Sequence, residues 1–186
     1  MEVLIMINDY EATNAITTDA VVIPNTSATP DNDQVISILN GLIETCKDGQ
    51  AGFQEAATGV QQTDLKTFFE KNGLQRSKFA GELQTLVQSL GGDPENSGSF
   101  AGALHRGWMN IKTAVTGKDD AAILNECERG EDSAKNAYQE ALEQTLPDYI
   151  RDSVQVQYQF INAAHDEVKA LRDKANNRSS TAATNH

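Results

Sequence analysis

The chain has 186 residues, enough for one domain with a substantial core, and 39% of them are hydrophobic while only 6% are aromatic. Its formal charge of −12 repels phosphate backbones and anionic lipid surfaces, so nucleic acid and membrane are not expected partners. No apolar run reaches the ~18 residues of a membrane span.

Residues 1–33 differ in character from the rest of the chain. They are rich in Thr, Asn, Asp and Ala, with Pro24 and Pro30 near the end. The opening Met1-Glu2-Val3-Leu4-Ile5-Met6-Ile7 has no basic residue and too short an apolar run for a secretory signal. The segment reads as a disordered arm.

A helical period begins at about Asp33 and runs to Thr58. Val35, Leu39, Leu42, Cys46, Gly49, Phe53 and Ala56 recur at steps of three and four, which aligns them on one face. Asp31 to Asp33 supply a cap and first-turn negative charge. Gly59 suits the position just past the helix end.

A second helix is expected over about Asp64 to Leu90, with the stripe Leu65, Phe69, Asn72, Arg76, Phe79, Leu83, Leu86 and Leu90, stopped by Gly91-Gly92. The short link between these helices makes them an antiparallel hairpin. Residues 93–99 read as a loop, and a shorter helix from about Phe100 to Thr116 carries His105, Arg106 and Trp108.

The third long helix should run from about Asp119 to Gln144, with Leu124, Cys127, Glu131, Ala134, Tyr138 and Ala141 in its stripe. Pro147 opens the fourth, expected to end near Asp173, with Ile150, Val154, Gln157, Ile161, Ala164, Val168 and Leu171. Residues 174–186 read as a disordered tail. The expected fold class is all-α: a ferritin-like four-helix bundle, two antiparallel hairpins joined by a long crossover containing a short helix. Helices of this length stand ~39 Å tall, and the connector is long enough to climb that height. The two cysteines, Cys46 and Cys127, fall on apolar stripes and read as free buried thiols, which suits the cytoplasm.

Several stripe positions are polar. Arg76 and Glu131 fall at nearly one height, with Gln50, Asn72, Glu128 and His165 at a second level, and Gln157 is a further polar stripe position near the middle of its helix. One reading is a buried polar layer of Gln50, Asn72, Arg76, Glu128, Glu131, Gln157 and His165, in which Arg76 and Glu131 pair because an unpaired buried charge is costly. Asn72, Gln50 and Gln157 would satisfy the remaining donors and acceptors.

The other reading is a metal site for iron or another transition metal on Glu128, Glu131 and His165. Dinuclear carboxylate bundles take a Glu from each of two helices and a Glu-x-x-His pair from each of the other two. Here Asn162 stands three before His165, and Asn72 and Arg76 occupy the inward positions of the second helix. That pattern disfavours a di-iron centre. Glycines within the helices, Gly49 and Gly130 among them, read as close helix approach or as room for a small ligand.

The stretches Ile38 to Gly49, Gly52 to Ala57, Gly102 to Trp108 and Cys127 to Asp132 resemble a bacterial family of ferritin-like four-helix-bundle proteins known as a domain of unknown function. The resemblance spans about Gln34 to Asp173. It implies the ferritin-like fold, a bacterial cytoplasmic origin and an association with stress, with no catalytic residue to carry over. The expected function is a non-enzymatic structural or interaction module that forms homo-oligomers or engages a protein partner. The alternative is a metal-binding protein or metal-dependent oxidoreductase.

Overall fold

The computed structural model describes residues 31–94, 108 and 110–184. Its elements are helices, and no strand occurs among the described residues: α1 is Asn32–Gly59, α2 Thr63–Ser89, α3 Ile111–Thr116, α4 Asp120–Glu143 and α5 Asp148–Thr184. The arm expected over 1–33 lies outside the described residues but for its last three.

Local chemistry sets the helix ends. Asp31 caps α1 by accepting from the Asp33 amide at 3.1 Å, and Asp119 caps α4 by accepting from the Ala121 amide at 2.9 Å. At the end of α2, Gly91 takes φ +79°. Its amide donates to the Gln88 carbonyl and the Gly92 amide to the Val87 carbonyl, both at 3.0 Å, closing a Schellman turn. Gly59 serves differently from the expected terminator. It is the last residue of α1, and a Cβ there would lie 2.7 Å from Val115 and 2.9 Å from Ile123, so a side chain is excluded by packing.

The tail expected from residue 174 is instead a continuation of α5 to Thr184. Neither Gly nor Pro occurs between Asp148 and Thr184, so nothing in the chain interrupts the helix at Asp173. Of the helix expected over Phe100 to Thr116, α3 covers the last six residues, and most of the remainder lies outside the described residues. Leu104, His105 and Arg106 lie outside the described residues.

The four long helices pack side by side. α1 lies on α2 and α4, α4 on α5, and α2 sparsely on α5. Contacts give their directions. Cys46 meets Tyr138 while Gly59 faces Ile123, so α4 runs against α1. Tyr138 meets Gln157 while Glu128 meets Arg172, so α5 runs against α4. α2 finishes beside the start of α1, where Asn40 donates to the Asp93 carbonyl at 3.0 Å. α4 begins beside the α1–α2 turn, where Asp120 accepts from the Gln61 amide at 3.0 Å. α2 therefore ends, and α4 begins, at opposite ends of α1.

Two apolar clusters fill the interior. One gathers Val35, Leu39, Cys46, Leu83, Tyr138 and Ile150 among others. The second gathers Phe53, Phe69, Trp108, Ile123, Leu124 and Val168. Arg76 and Glu131 occupy the level between them.

Candidate functional site

Arg76 reaches from α2 to Glu131 on α4, Nη2 to Oε2, at 2.6 Å, with 1% and 0% of the two side chains exposed. The helix period places both inward, and the close backbone of α1 at Gly49 makes room for the arginine stem. A Cβ added at Gly49 would stand 3.3 Å from Arg76 Cγ. The guanidinium also lies 5.8 Å from the ring centroids of Phe53 on α1 and Phe79 on α2, one from each apolar cluster.

The pair is joined by one strong hydrogen bond only. Arg76 Nε and Glu131 Oε1 are buried without a protein hydrogen-bond partner, and Arg76 Nη1 makes a long contact of 3.4 Å to Gln75. Burial pushes the Glu131 carboxyl above its usual range, and the Arg76 guanidinium pulls it partly back.

A second polar line crosses one level away. Cys46 Sγ lies 3.1 Å from Tyr138 Oη, which donates to Gln157 Oε1 at 2.7 Å. Gln157 Nε2 in turn donates to Glu82 at 2.8 Å. With the tyrosine proton committed to Gln157, the thiol is the donor to Tyr138. The line thus draws one residue from each long helix, α1, α4, α5 and α2, and ends on a carboxylate at the surface. Burial raises the Cys46 thiol to about 11 and the Tyr138 hydroxyl well above its usual value.

The expected polar layer is therefore divided differently from the sequence reading. Gln157 serves Tyr138 rather than the Arg76–Glu131 pair. Asn72 donates to the Phe68 carbonyl of its own helix at 2.9 Å. Gln50 is half-buried on α1, where its backbone carbonyl would stand 3.5 Å from a Cβ at Gly73. Cys46 and Tyr138 belong to the polar interior and Glu82 ends their line at the surface, three residues absent from the expected layer. Their signal was a tyrosine and a glutamine on facing core stripes, two residue types that need partners when buried.

The three residues considered for metal are each held elsewhere. Glu128 pairs with Arg172 on α5. Glu131 pairs with Arg76. His165 lies with Nε2 2.9 Å from Asp132 and Nδ1 3.0 Å from Asp166. Among the described residues, no three His, Cys, Asp or Glu side chains come together as a metal-binding group. The residues present do not fit the dinuclear carboxylate pattern, because the cation at the centre is Arg76.

The space considered for a small ligand is occupied. Trp108, only 8% exposed, lies between α1 and α4. A Cβ at Gly52 would fall 2.1 Å from its ring, and one at Gly130 2.2 Å. Phe53 meets the indole edge-on at 5.1 Å. The two glycines form a slot for an indole, and the Arg76 stem fills the corresponding gap at Gly49, so the ligand reading is corrected.

These helices carry the segments on which the family resemblance rests, so far as they are described. The chain belongs to the family described as Domain of unknown function (DUF2383). The family profile matches residues 34–144, which takes in α1 to α4 and stops before α5. Within DUF2383 therefore lie the Arg76–Glu131 pair, the Cys46–Tyr138 contact and the whole Trp108 slot. Gln157, His165 and Arg172 lie outside the match. No curated protein matches the chain. No helix among the described residues is long and apolar enough to cross a membrane.

Proposed function

We propose that this DUF2383 chain is a ferritin-like four-helix scaffold without ferritin-like chemistry, acting as a non-enzymatic, stress-associated interaction module in the bacterial cytoplasm. The observation that carries the reading is the Arg76–Glu131 pair. It puts a fixed guanidinium at the centre of the core, where a dinuclear carboxylate protein would hold its cations. Support for the ferritin-like topology comes from the antiparallel neighbours α1·α2, α4·α5, α1·α4 and α2·α5, and from α2 ending and α4 beginning at opposite ends of α1. Glu128, Glu131 and His165, the only set of ligands the sequence suggested, each have a charged partner of their own.

The test is the metal content of the purified, untagged protein, before and after anaerobic incubation with ferrous iron followed by air. The reading expects no stoichiometric metal and no oxo-bridged iron absorbance. Stoichiometric metal that disappears in Glu131→Ala would overturn it in favour of a metal-binding protein or oxidoreductase.

A further inference from the structure

The seam between α2 and α5 is the least packed of the four between neighbouring long helices. It is bridged by Gln157 to Glu82 and by Phe79 to Phe160, whose ring centroids are 6.0 Å apart. Beside these bridges the seam opens into a cleft of about 540 Å³ lined by Glu82, Thr85, Leu86, Asp152, Ser153 and Val156. Along α5, Tyr149, Val156 and Phe160 are 52%, 52% and 49% exposed. Their spacings of seven and four place them on one stripe, separate from the core stripe of Ile150, Val154, Gln157 and Ile161. α5 thus carries a second, half-exposed apolar stripe, of which Phe160 packs in part against Phe79.

We propose that the α2–α5 cleft is a docking groove for an amphipathic helix of another protein that carries basic residues beside its apolar face. The geometry asks for a helix, because apolar anchors at spacings of four and seven complement Val156, Phe160 and Tyr149. Charge selects the partner. Glu82 stands on one rim and Asp152 on the other, both exposed, and Lys78 leans on Glu82 at 3.6 Å as a surface pair only. The same charge disfavours the two occupants nearest at hand. The first 30 residues hold Glu2, Asp9, Glu11 and Asp19 and no Lys or Arg, and a second copy carries −12 as well. The proposal rests on the reading of the chain as an interaction module. Metal content and peptide binding are independent measurements, so a protein that loads metal yet binds the peptide overturns that reading alone.

The probe is a synthetic leucine–lysine amphipathic peptide of about 18 residues, five turns of helix, titrated onto the full chain by fluorescence anisotropy. A leucine–glutamate peptide of the same pattern is the control. The expected result is saturable binding of the lysine peptide only. Val156→Ser with Phe160→Ser leaves the net charge unchanged and should weaken it about tenfold or more, as loss of central apolar anchors does. Asp152→Lys should weaken it too, with unchanged circular dichroism in both variants. Equal binding by the serine variant would overturn the proposal, since attraction would then be bulk charge alone. So would a dimer by light scattering that the serine variant dissociates, which assigns the groove to a second copy. A gain of about tenfold in peptide affinity in Leu4→Ser/Ile7→Ser would equally overturn it, assigning the groove to the chain's own first residues.

Discussion

Arg76 and Glu131 stand on diagonally opposed helices and meet at 2.6 Å across the centre of the core. The Cys46–Tyr138, Tyr138–Gln157 and Gln157–Glu82 bonds each join neighbouring helices. The Arg76–Glu131 bond joins α2 to α4, which otherwise have α1 and α5 between them. Its position between the two apolar clusters makes it a register device. Sliding either helix by one turn would bury both charges against hydrocarbon.

Arg76→Ala should therefore destabilise the fold by about 3–5 kcal/mol, because it leaves Glu131 buried and unpaired. Replacing both partners with apolar residues of similar size, Arg76→Met with Glu131→Leu, should recover most of that loss. Urea denaturation of the two variants and the parent measures it. A double variant no more stable than Arg76→Ala would show that the pair does more than satisfy itself.

Tyr138→Phe should cost about 1–3 kcal/mol, since it leaves the Gln157 carbonyl oxygen and the Cys46 thiol without their partner in a dry site. The line is coupled, so the cost should shrink when Gln157→Leu is already present. A double-mutant cycle read by denaturation checks this. Strict additivity would mean that the 2.7 Å contact contributes nothing to stability.

The helices and the core were legible because their signal is periodic. Val35 to Ala56 on α1, Leu124 to Ala141 on α4 and Ile150 to Val168 on α5 all point inward, as their spacing requires. The central ion pair was legible as well, because a buried arginine demands a carboxylate and only Glu131 sat at its height. Partner choice among neutral polar groups was not legible. Asn72 could reach its own helix at Phe68, a local bond that no interhelical count reveals. The slot was also hidden. Gly52, Gly130 and Trp108 are far apart in sequence, and a glycine in a helix does not state what lies against it. The open α2–α5 seam depends on how far two helices diverge, which periodicity does not encode.

Gly130→Ala should destabilise by about 1–3 kcal/mol, the usual cost of forcing extra atoms into a packed core. Trp108→Ala should cost about 3–5 kcal/mol, the usual loss for emptying a large aromatic site. Because the clash at Gly130 is with the indole itself, at 2.2 Å, the double variant should cost clearly less than the sum. Trp108 is the sole tryptophan, so its emission reports the slot directly. Gly130→Ala should shift it to the red as the ring is expelled, and an unchanged spectrum would place the ring elsewhere.

Alkaline pH should expose the buried thiol at the head of the Tyr138 line. The folded-state value of Cys46 is raised from 9.0 to about 11, by burial above all, with the Tyr138 hydrogen bond opposing. A raised value means that the unfolded chain loses the proton first. The stabilising contribution is complete below pH 9 and is lost as pH climbs from 9 towards 11. A rise of this size removes on the order of a few kcal/mol at the top of that window. Cys127 and Tyr138 are raised in the same direction by burial, so the whole protein should weaken steeply there. Cys46→Ser isolates the one group, since serine keeps a donor for Tyr138 and does not titrate. Stability measured by urea at pH 8 and again at pH 10.5 should fall less in Cys46→Ser than in the parent. The native thiols should also resist a thiol reagent at pH 8 until urea opens the core, because both sulfurs are buried. An equal fall in the serine variant, or rapid labelling of the folded protein, would place Cys46 in contact with water.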